Sequence, residues 1–390
     1  MEARRSTEHP LSTVEMQSYA SDIECDVPLA PLTTLAVGGC ARYLWRAADE
    51  DALRAALAWA GAQGLPVWVL GGGSNTLVAD GGWPGLVVQY TARDWRHTRA
   101  DDERVYVTAS AGVVWDDLVA YTCAVGWAGV ECLSGIPGWV GAVPVQNVGA
   151  YGQEVSDTLV HVRVIDRTTL RTTTLVAAAL ALDYRSSAFK RTWRDRYIIT
   201  AVSLLLHVGD AAVPRHPEIA RRAISRAPTA VRDAVLAVRQ RKSMVYDVAD
   251  HNHRSAGSFF TNPILPNALA AALRASLGEE DMPEYSSSPG MTKLSAAWFI
   301  ERAGFPPGTV FKDGSAGLSS RHSLALINRG RARAKDLVDF AQHIQAHVYA
   351  AFGVTLVPEP SFMGFDKHPF TPGTSTNDSD IGYRQRECCA

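Results

Sequence analysis

The stretch Ser134-Gly-Ile-Pro-Gly-Trp-Val-Gly-Ala-Val-Pro-Val-Gln-Asn-Val-Gly-Ala-Tyr-Gly152 carries no charged side chain. Its glycines and prolines interrupt both a helical hydrogen-bond ladder and ordinary strand pairing. It is nevertheless too apolar to be a solvated linker. A segment of this kind folds around something. Residues without a Cβ let the backbone approach a partner closely, and Gln146 and Asn147 bring amide donors and acceptors into the same run. A buried, planar ligand with polar edges satisfies both facts.

The bulk of the chain sets limits on that ligand's host. At 390 residues the chain is longer than one core usually organises, so two or three lobes are expected. A hydrophobic fraction of 47% and a formal charge of −2 describe an ordinary globular protein without the basic excess of a nucleic-acid binder. No run of about twenty apolar residues is present, and the first ten residues lack the apolar core of a secretory signal. A cytosolic enzyme, attached to neither membrane nor nucleic acid, is the expectation. Cys25, Cys40, Cys123, Cys132, Cys388 and Cys389 show no metal-ligand spacing, so no metal is expected and the thiols are expected to be reduced.

Both ends, 1–25 and 366–390, are polar and rich in turn formers, and read as tails. Between them, Asp51 to Ala60 is built from strong helix formers and stops at Gly64. The apolar run Pro66 to Leu70 follows and meets Gly71-Gly-Gly-Ser-Asn75, giving helix, strand and glycine loop. Val105–Thr108, Val160–Ile165 and Tyr197–Leu206 are β-branched runs of strand length, with a helical pattern at Trp115–Ala124. Residues 213–240 are helical again. Ala332–Phe352 places Leu337, Phe340, Ala341, Ile344 and Val348 on one helix face.

Gly71, Gly72, Gly73, Ser74 and Asn75 follow a strand, as a phosphate-cradling loop does, since bare backbone N–H groups can point at anionic oxygens. Neither the dinucleotide fingerprint nor the P-loop fits, because Thr76 stands where a glycine is required and no Gly-Lys-Ser/Thr ending follows. Two glycine-rich loops in one region suggest an extended ligand with a diphosphate in its middle.

Leu70–Asn75, Ile136–Gly152, Tyr184-Arg185, Ala256-Gly-Ser-Phe-Phe-Thr-Asn-Pro263 and Pro358-Glu359 fall in an order that resembles the UDP-N-acetylenolpyruvoylglucosamine reductase (MurB) family, over roughly residues 30–364. The resemblance implies an α+β fold: a two-lobed FAD-binding domain of the vanillyl-alcohol-oxidase type followed by a C-terminal α+β substrate-binding domain. It implies noncovalent FAD, NADPH as reductant, and an enolpyruvyl ether of a UDP-sugar as substrate for peptidoglycan precursor synthesis. Flavin contacts are then expected from the first loop and from Ile136, Pro137, Gly138, Gly141, Gln146, Asn147, Gly149, Ala150, Tyr151 and Gly152. The expected architecture is lobe 1 at 26–90 with a return strand near 354–365, lobe 2 at 91–240, and the substrate domain at 241–353, in a monomer.

The residue chemistry agrees. Reducing an enol ether beside a carboxylate requires hydride at the β-carbon and a proton at the α-carbon, where enolate charge gathers. An arginine at a strand end is ordinarily a solvated charge, but Arg185 has the planar fork that holds a carboxylate in two bonds. The resemblance assigns Ser258 as proton donor, a weak acid that needs help from a neighbour such as Lys242. It also places Glu359 opposite Arg185. A glutamate beside an anionic substrate requires an arginine partner or a proton. Tyr184, Lys242, Asn262 and Lys293 are the expected substrate contacts. Where the family carries a tyrosine that closes over the nucleotide, this chain has His216, with Tyr246 as a substitute. A flavin oxidase of the same fold would tether its flavin and lack the Gly-Ser-Phe-Phe element. A non-catalytic nucleotide-sugar binder would lose Arg185, Ser258 or Glu359.

Overall fold

The computed structural model describes residues 23–277, 282–285 and 287–370. Cys388, Cys389 and most of both expected tails lie outside the described residues. The first lobe opens with β1 (Ile23–Pro28) and β2 (Cys40–Ala47), followed by α1 (Glu50–Ala62). Asp49 starts that helix by accepting the Ala52 N–H at 2.8 Å, and Glu50 and Asp51 complement the dipole of the first turn. Next come β3 (Val67–Val69), β4 (Thr76–Val78) and β5 (Trp83–Tyr90), which form a sheet ordered β1-β2-β5-β3 and leave β4 outside it.

The second lobe contains β6 (Trp95–Arg99), β7 (Arg104–Ser110), α2 (Trp115–Ala124), β8 (Trp127–Ala128), the short pair β9 (Gly149–Ala150) and β10 (Gln153–Glu154), β11 (Leu159–Asp166), β12 (Thr172–Val176) and β13 (Tyr197–Val208). Its main sheet runs β12-β11-β13-β7-β6, with β8 pairing to β13. Two helices close it: α3 (Pro217–Arg222) and α4 (Pro228–Arg241), each with proline in the first turn, where a missing N–H costs nothing. Leu53, Ala56 and Leu57 of α1 share one core with Val88 of lobe 1 and Val105, Val162 and Val202 of lobe 2, so the helix glues the two lobes together. Glu50 adds a polar clamp, accepting from Arg163 Nε at 2.6 Å and Thr200 Oγ1 at 2.7 Å.

The third part contains β14 (Ile264–Pro266), α5 (Asn267–Leu277), β15 (Glu284–Tyr285), β16 (Met291–Leu294), α6 (Ala296–Arg302), β17 (Val310–Phe311), β18 (Ala316–Ser319), β19 (His322–Asn328) and α7 (Ala334–Phe352). The five apolar residues expected on one face of α7 are all buried in this domain's core. The chain then returns to lobe 1 through β20 (Ser361–Met363), parallel to β4. Residues 366–370, read from sequence as tail, belong to the packed fold. The Phe370 ring lies 6.2 Å from Phe259 and 5.4 Å from Phe362, centroid to centroid, because an aromatic this close to apolar rings has surface to bury. Cys25, Cys40, Cys123 and Cys132 are free thiols. Burial pushes the last two up to about 12, leaving them unreactive packing residues.

Candidate active site

A cavity of about 800 Å³ lies where the three parts meet. Its first wall is made of the two glycine loops, which are packed on each other. A Cβ on Gly72 would meet the Gly138 Cα at 2.9 Å, and one on Gly138, at φ +120, would meet Ser74 Oγ at 2.7 Å. Ser74 Oγ donates to the Pro137 carbonyl at 2.9 Å. Part of the close approach read from the sequence is therefore loop against loop. Gly71 is different: a Cβ there finds only Ala142, at 3.8 Å, so its backbone faces open cavity.

The first loop lines the cavity throughout, as do Ile136, Pro137, Gly138, Gly141, Gln146, Gly149, Ala150 and Tyr151. Asn147 and Gly152 do not. Asn147 is buried and holds the loop's shape, donating to Glu154 Oε2 at 2.7 Å and accepting from the Ser156 N–H at 2.9 Å. Gly152, at φ +83, lets Arg215 pass, since a Cβ would meet the Arg215 Cβ at 2.7 Å.

A chain of polar contacts crosses the cavity from this wall. Asn75 Nδ2 donates to Gln146 Oε1 at 2.9 Å, Gln146 Nε2 donates to Glu359 Oε1 at 3.1 Å, and the same oxygen lies 3.1 Å from Arg185 Nε. Arg185 Nη2 donates to the Gly149 carbonyl at 2.7 Å. The guanidinium is aimed by an unusual backbone. Asp183 and Ser186 exchange both backbone hydrogen bonds, and Arg185 between them sits at φ +51, in the left-handed region that favours glycine. Such a residue stores roughly 1–3 kcal/mol of strain, which persists only where its surroundings hold it.

Ser258 reaches the same wall through its neighbours. The Phe259 N–H donates to the Leu324 carbonyl at 2.7 Å, and the Glu359 N–H donates to the Phe259 carbonyl at 2.8 Å. Backbone pairing thus sets the proposed acid beside Glu359, while Phe259 and Phe260 are buried as anchors. The Ser258 hydroxyl has no hydrogen-bond partner among the described residues, and it lines the cavity. Lys242 lines it as well, without a bond to Ser258.

Tyr184, Asn262 and Lys293 form a second group. The Asn262 N–H donates to Tyr184 Oη at 3.3 Å, Asn262 Oδ1 accepts from the Ala296 N–H at 3.0 Å, and Lys293 Nζ lies 4.5 Å from the centre of the Tyr184 ring. Burial pushes the Tyr184 hydroxyl above its usual range and Lys293 below its own. Asn262 faces the cavity, whereas Tyr184 and Lys293 stand behind the lining. His216 is part of the lining, with its ring edge-on to Tyr151 at 5.2 Å, and so is Tyr246.

Three cavity residues escaped the sequence. Lys190 stands five residues after Arg185, and its Nζ donates to the Arg185 carbonyl at 3.3 Å. Arg239 is buried, donating through Nη2 to the Met244 carbonyl at 2.6 Å and the Gly135 carbonyl at 3.2 Å. His322 lies on β19 with no motif around it. The lining carries six lysines and arginines against two carboxylates, Asp195 and Glu359, so it favours anionic ligands. Asn75 Oδ1 is buried without a partner beside the glycine loops, as an acceptor awaiting a ligand donor would be. A cavity of this size, with backbone-lined loops and an orphan acceptor, fits a flavin dinucleotide.

Comparison with known proteins agrees with the geometry. A family model for the FAD binding domain matches residues 41–173, and one for the UDP-N-acetylenolpyruvoylglucosamine reductase C-terminal domain matches residues 249–363. UDP-N-acetylenolpyruvoylglucosamine reductase 2 of Corynebacterium glutamicum is 46% identical over 352 residues, spanning 88% of this chain and 95% of its own. The reductase of Thermobifida fusca is 47% identical over 350 residues, spanning 87% and 97%. The crystal structure of the Thermus caldophilus enzyme superposes with a TM-score of 0.58 at 24% identity, over 86% of this chain and 97% of that one, and shares the fold. The chain belongs to the UDP-N-acetylenolpyruvoylglucosamine reductase (MurB) family.

Proposed function

We propose that the chain reduces the enolpyruvyl ether of UDP-N-acetylenolpyruvoylglucosamine to the lactyl ether of UDP-N-acetylmuramate, with NADPH as reductant and FAD as noncovalent cofactor, in peptidoglycan precursor synthesis in the cytoplasm. Among the described residues no helix is long and apolar enough to cross a membrane. The protein acts as a monomer. Residues 26–90, extended back by β1 to Ile23, form the first flavin lobe with the return at 354–365, 91–240 form the second, and 241–353 the substrate domain.

The observation that carries this assignment is the single chain from Asn75 through Gln146 and Glu359 to Arg185, beside Ser258. It joins the flavin loops to the groups that an enolate requires. Bound FAD supplies the hydride relay between NADPH and the substrate double bond. The loops 71–75 and 136–151 hold it through backbone groups and Asn75, and no side chain is needed to tether it. Arg185 holds the substrate carboxylate and stabilises charge that gathers on it as the bond is reduced. Ser258 delivers the proton to the α-carbon. Glu359 keeps the Arg185 fork oriented while Gln146 orients Glu359.

The test separates the two halves of the cycle. Ser258→Ala should bleach normally with NADPH in the absence of oxygen, because the hydroxyl has no part in reducing the cofactor. Its reoxidation by the enolpyruvyl UDP-sugar should slow by at least ~10²-fold, as expected for loss of a positioned acid. Equal loss in both half-reactions would make Ser258 a structural residue, and unimpaired reoxidation would move the proton donor elsewhere.

A further inference from the structure

The turn that carries Arg185 is held from several sides. Asp183 and Ser186 exchange backbone hydrogen bonds across it, and the Tyr184 N–H donates to Asp183 Oδ1 at 2.6 Å. Arg191 donates through Nη2 to the Ala181 carbonyl at 2.7 Å and through Nη1 to Ser186 Oγ. None of these bonds reaches Arg185, whose φ of +51 makes it the strained member of the turn. Among the described residues, the one side chain that bonds its backbone is Lys190, through Nζ to the Arg185 carbonyl at 3.3 Å. Lys190 ends the short 3-10 turn Ala188–Lys190. Ser187 starts that turn, accepting the Phe189 N–H at 3.1 Å on its hydroxyl, which donates in turn to the Val145 carbonyl of the second glycine loop. Ala188 and Phe189 are buried, and the Phe189 ring lies 5.8 Å from Trp193. The turn is thereby pinned, and its last side chain lines the cavity.

The charged groups that act on the Lys190 ammonium are Glu359, Arg185 and Arg194. Two arginines push it towards solvent, whereas the Arg185 carbonyl and Glu359 draw it in. We infer that Lys190 is a positioning residue for Arg185. Its bond to the carbonyl locks the left-handed turn, and so keeps the guanidinium against Glu359 and the Gly149 carbonyl before the substrate carboxylate arrives. This rests on the function proposed above. Without that bond, a residue that is not glycine relaxes towards the right-handed or extended region, and its side chain swings with the Cα–Cβ bond. A displacement on the order of 1 Å near a reacting centre costs up to ~10²-fold in rate. The other bonds of the turn persist when Lys190 is lost, so the expected cost is smaller, about tenfold.

The experiment is a double-mutant cycle on the FAD-loaded enzyme, reduced with NADPH without oxygen and then mixed with saturating enolpyruvyl UDP-sugar in a stopped-flow instrument. Lys190→Met keeps the length of the side chain and removes its donors. Reoxidation should slow about tenfold, while retained FAD and bleaching by NADPH stay as in the wild type. Lys190→Arg, which keeps both charge and donors, should restore most of the rate. The deciding arm is the Arg185→Ala background, where no guanidinium is left to aim. Adding Lys190→Met there should slow reoxidation no further. The same loss in both backgrounds would mean that Lys190 acts on the substrate itself, and it overturns the inference. So does a wild-type rate in Lys190→Met, and so does loss of flavin or equal slowing of bleaching and reoxidation, which marks a general structural role. A wild-type enzyme that the sugar does not reoxidise would instead remove the function proposed above, and this inference with it.

Discussion

The two ends of the cavity solve the problem of a buried charge in opposite ways. At one end Arg185 has a carboxylate at 3.1 Å and a carbonyl at 2.7 Å, and its partner Glu359 is itself held by Gln146. At the other end Arg239 is more deeply enclosed; its guanidinium donates to the Met244 and Gly135 carbonyls, and the carboxylate that acts on it, Asp116, is already paired with Arg232. Desolvation pulls Arg239 below its usual range. The first end is compensated in advance, so its geometry is fixed before ligand arrives. The second is only partly compensated, since Asp116 is shared with Arg232, and it keeps a positive potential that an anion relieves. One arrangement suits orientation at a reacting carbon and the other suits capture of a phosphate-bearing ligand.

Removing Arg185 tests the compensated end most directly. Arg185→Ala should lower the rate of substrate reduction by prereduced enzyme on the order of a hundredfold or more, about 3 kcal/mol of transition-state stabilisation. Arg185→Lys should recover little, because a point charge lacks the fork that meets Glu359 and Gly149. Stopped-flow reoxidation reads both variants, and a near-wild-type rate in Arg185→Ala would end the assignment.

At the less compensated end, Arg239→Met preserves bulk and removes the donors. The Gly135 and Met244 carbonyls then lose a partner in a buried setting, at about 1–3 kcal/mol for each group left unsatisfied. Thermal unfolding should fall by several degrees, and the affinity for the UDP-sugar should weaken while flavin reduction by NADPH keeps its rate. A variant that changes flavin reduction as much as UDP-sugar affinity would show that the two ends are not separable.

The smallest effect is expected outside the cavity, at the clamp between the lobes. Burial alone would raise the Glu50 carboxyl, but hydrogen bonds from Arg163 and Thr200 outweigh it and hold the group below the usual carboxylate range. Its stabilising contribution is therefore complete at neutral pH and is lost as pH falls below the ordinary carboxylate range through the lowered value. Glu50→Gln should be less stable by about 1–2 kcal/mol at pH 7, with the difference shrinking towards zero in acid. Denaturant melts at pH 7 and pH 3 check this, and a difference of equal size at both would deny the linkage.

Sequence reached the fold through its periodic segments. Trp115–Ala124 and Tyr197–Val208 are elements whose hydrophobic pattern states their geometry, and both stand where their residues predict. Much of the cavity wall was legible for another reason: Gly72, Gly138 and the Gly-Ser-Phe-Phe element occupy positions where only certain residue types fit. Arg239 and His322 were not legible, because their environment is assembled from distant segments. Nothing local distinguishes a helix-end arginine on the surface from one whose guanidinium lies against Gly135, more than a hundred residues earlier in the chain. Asn147 failed in the opposite direction. Its amide looked like a ligand contact, yet the turn at its φ of +45 uses that amide to satisfy Glu154 and the Asp183 carbonyl.

The return of the chain through β20 has a consequence for the order in which this protein can be built. β4 has β20 as its sheet partner, and Glu359 stands two residues before that strand. A ribosome delivers lobe 1 early, with the backbone edge of β4 bare, and nearly three hundred residues pass before its match emerges. The contact is among the most non-local the chain offers, and such pairings form late because their loop entropy is lost before they contribute. The strand that seals the first lobe also carries in the last member of the Asn75–Gln146–Glu359–Arg185 chain. A nascent or truncated chain ending before residue 359 therefore has glycine loops but no finished site, and chemical competence arrives in the same step that closes the fold.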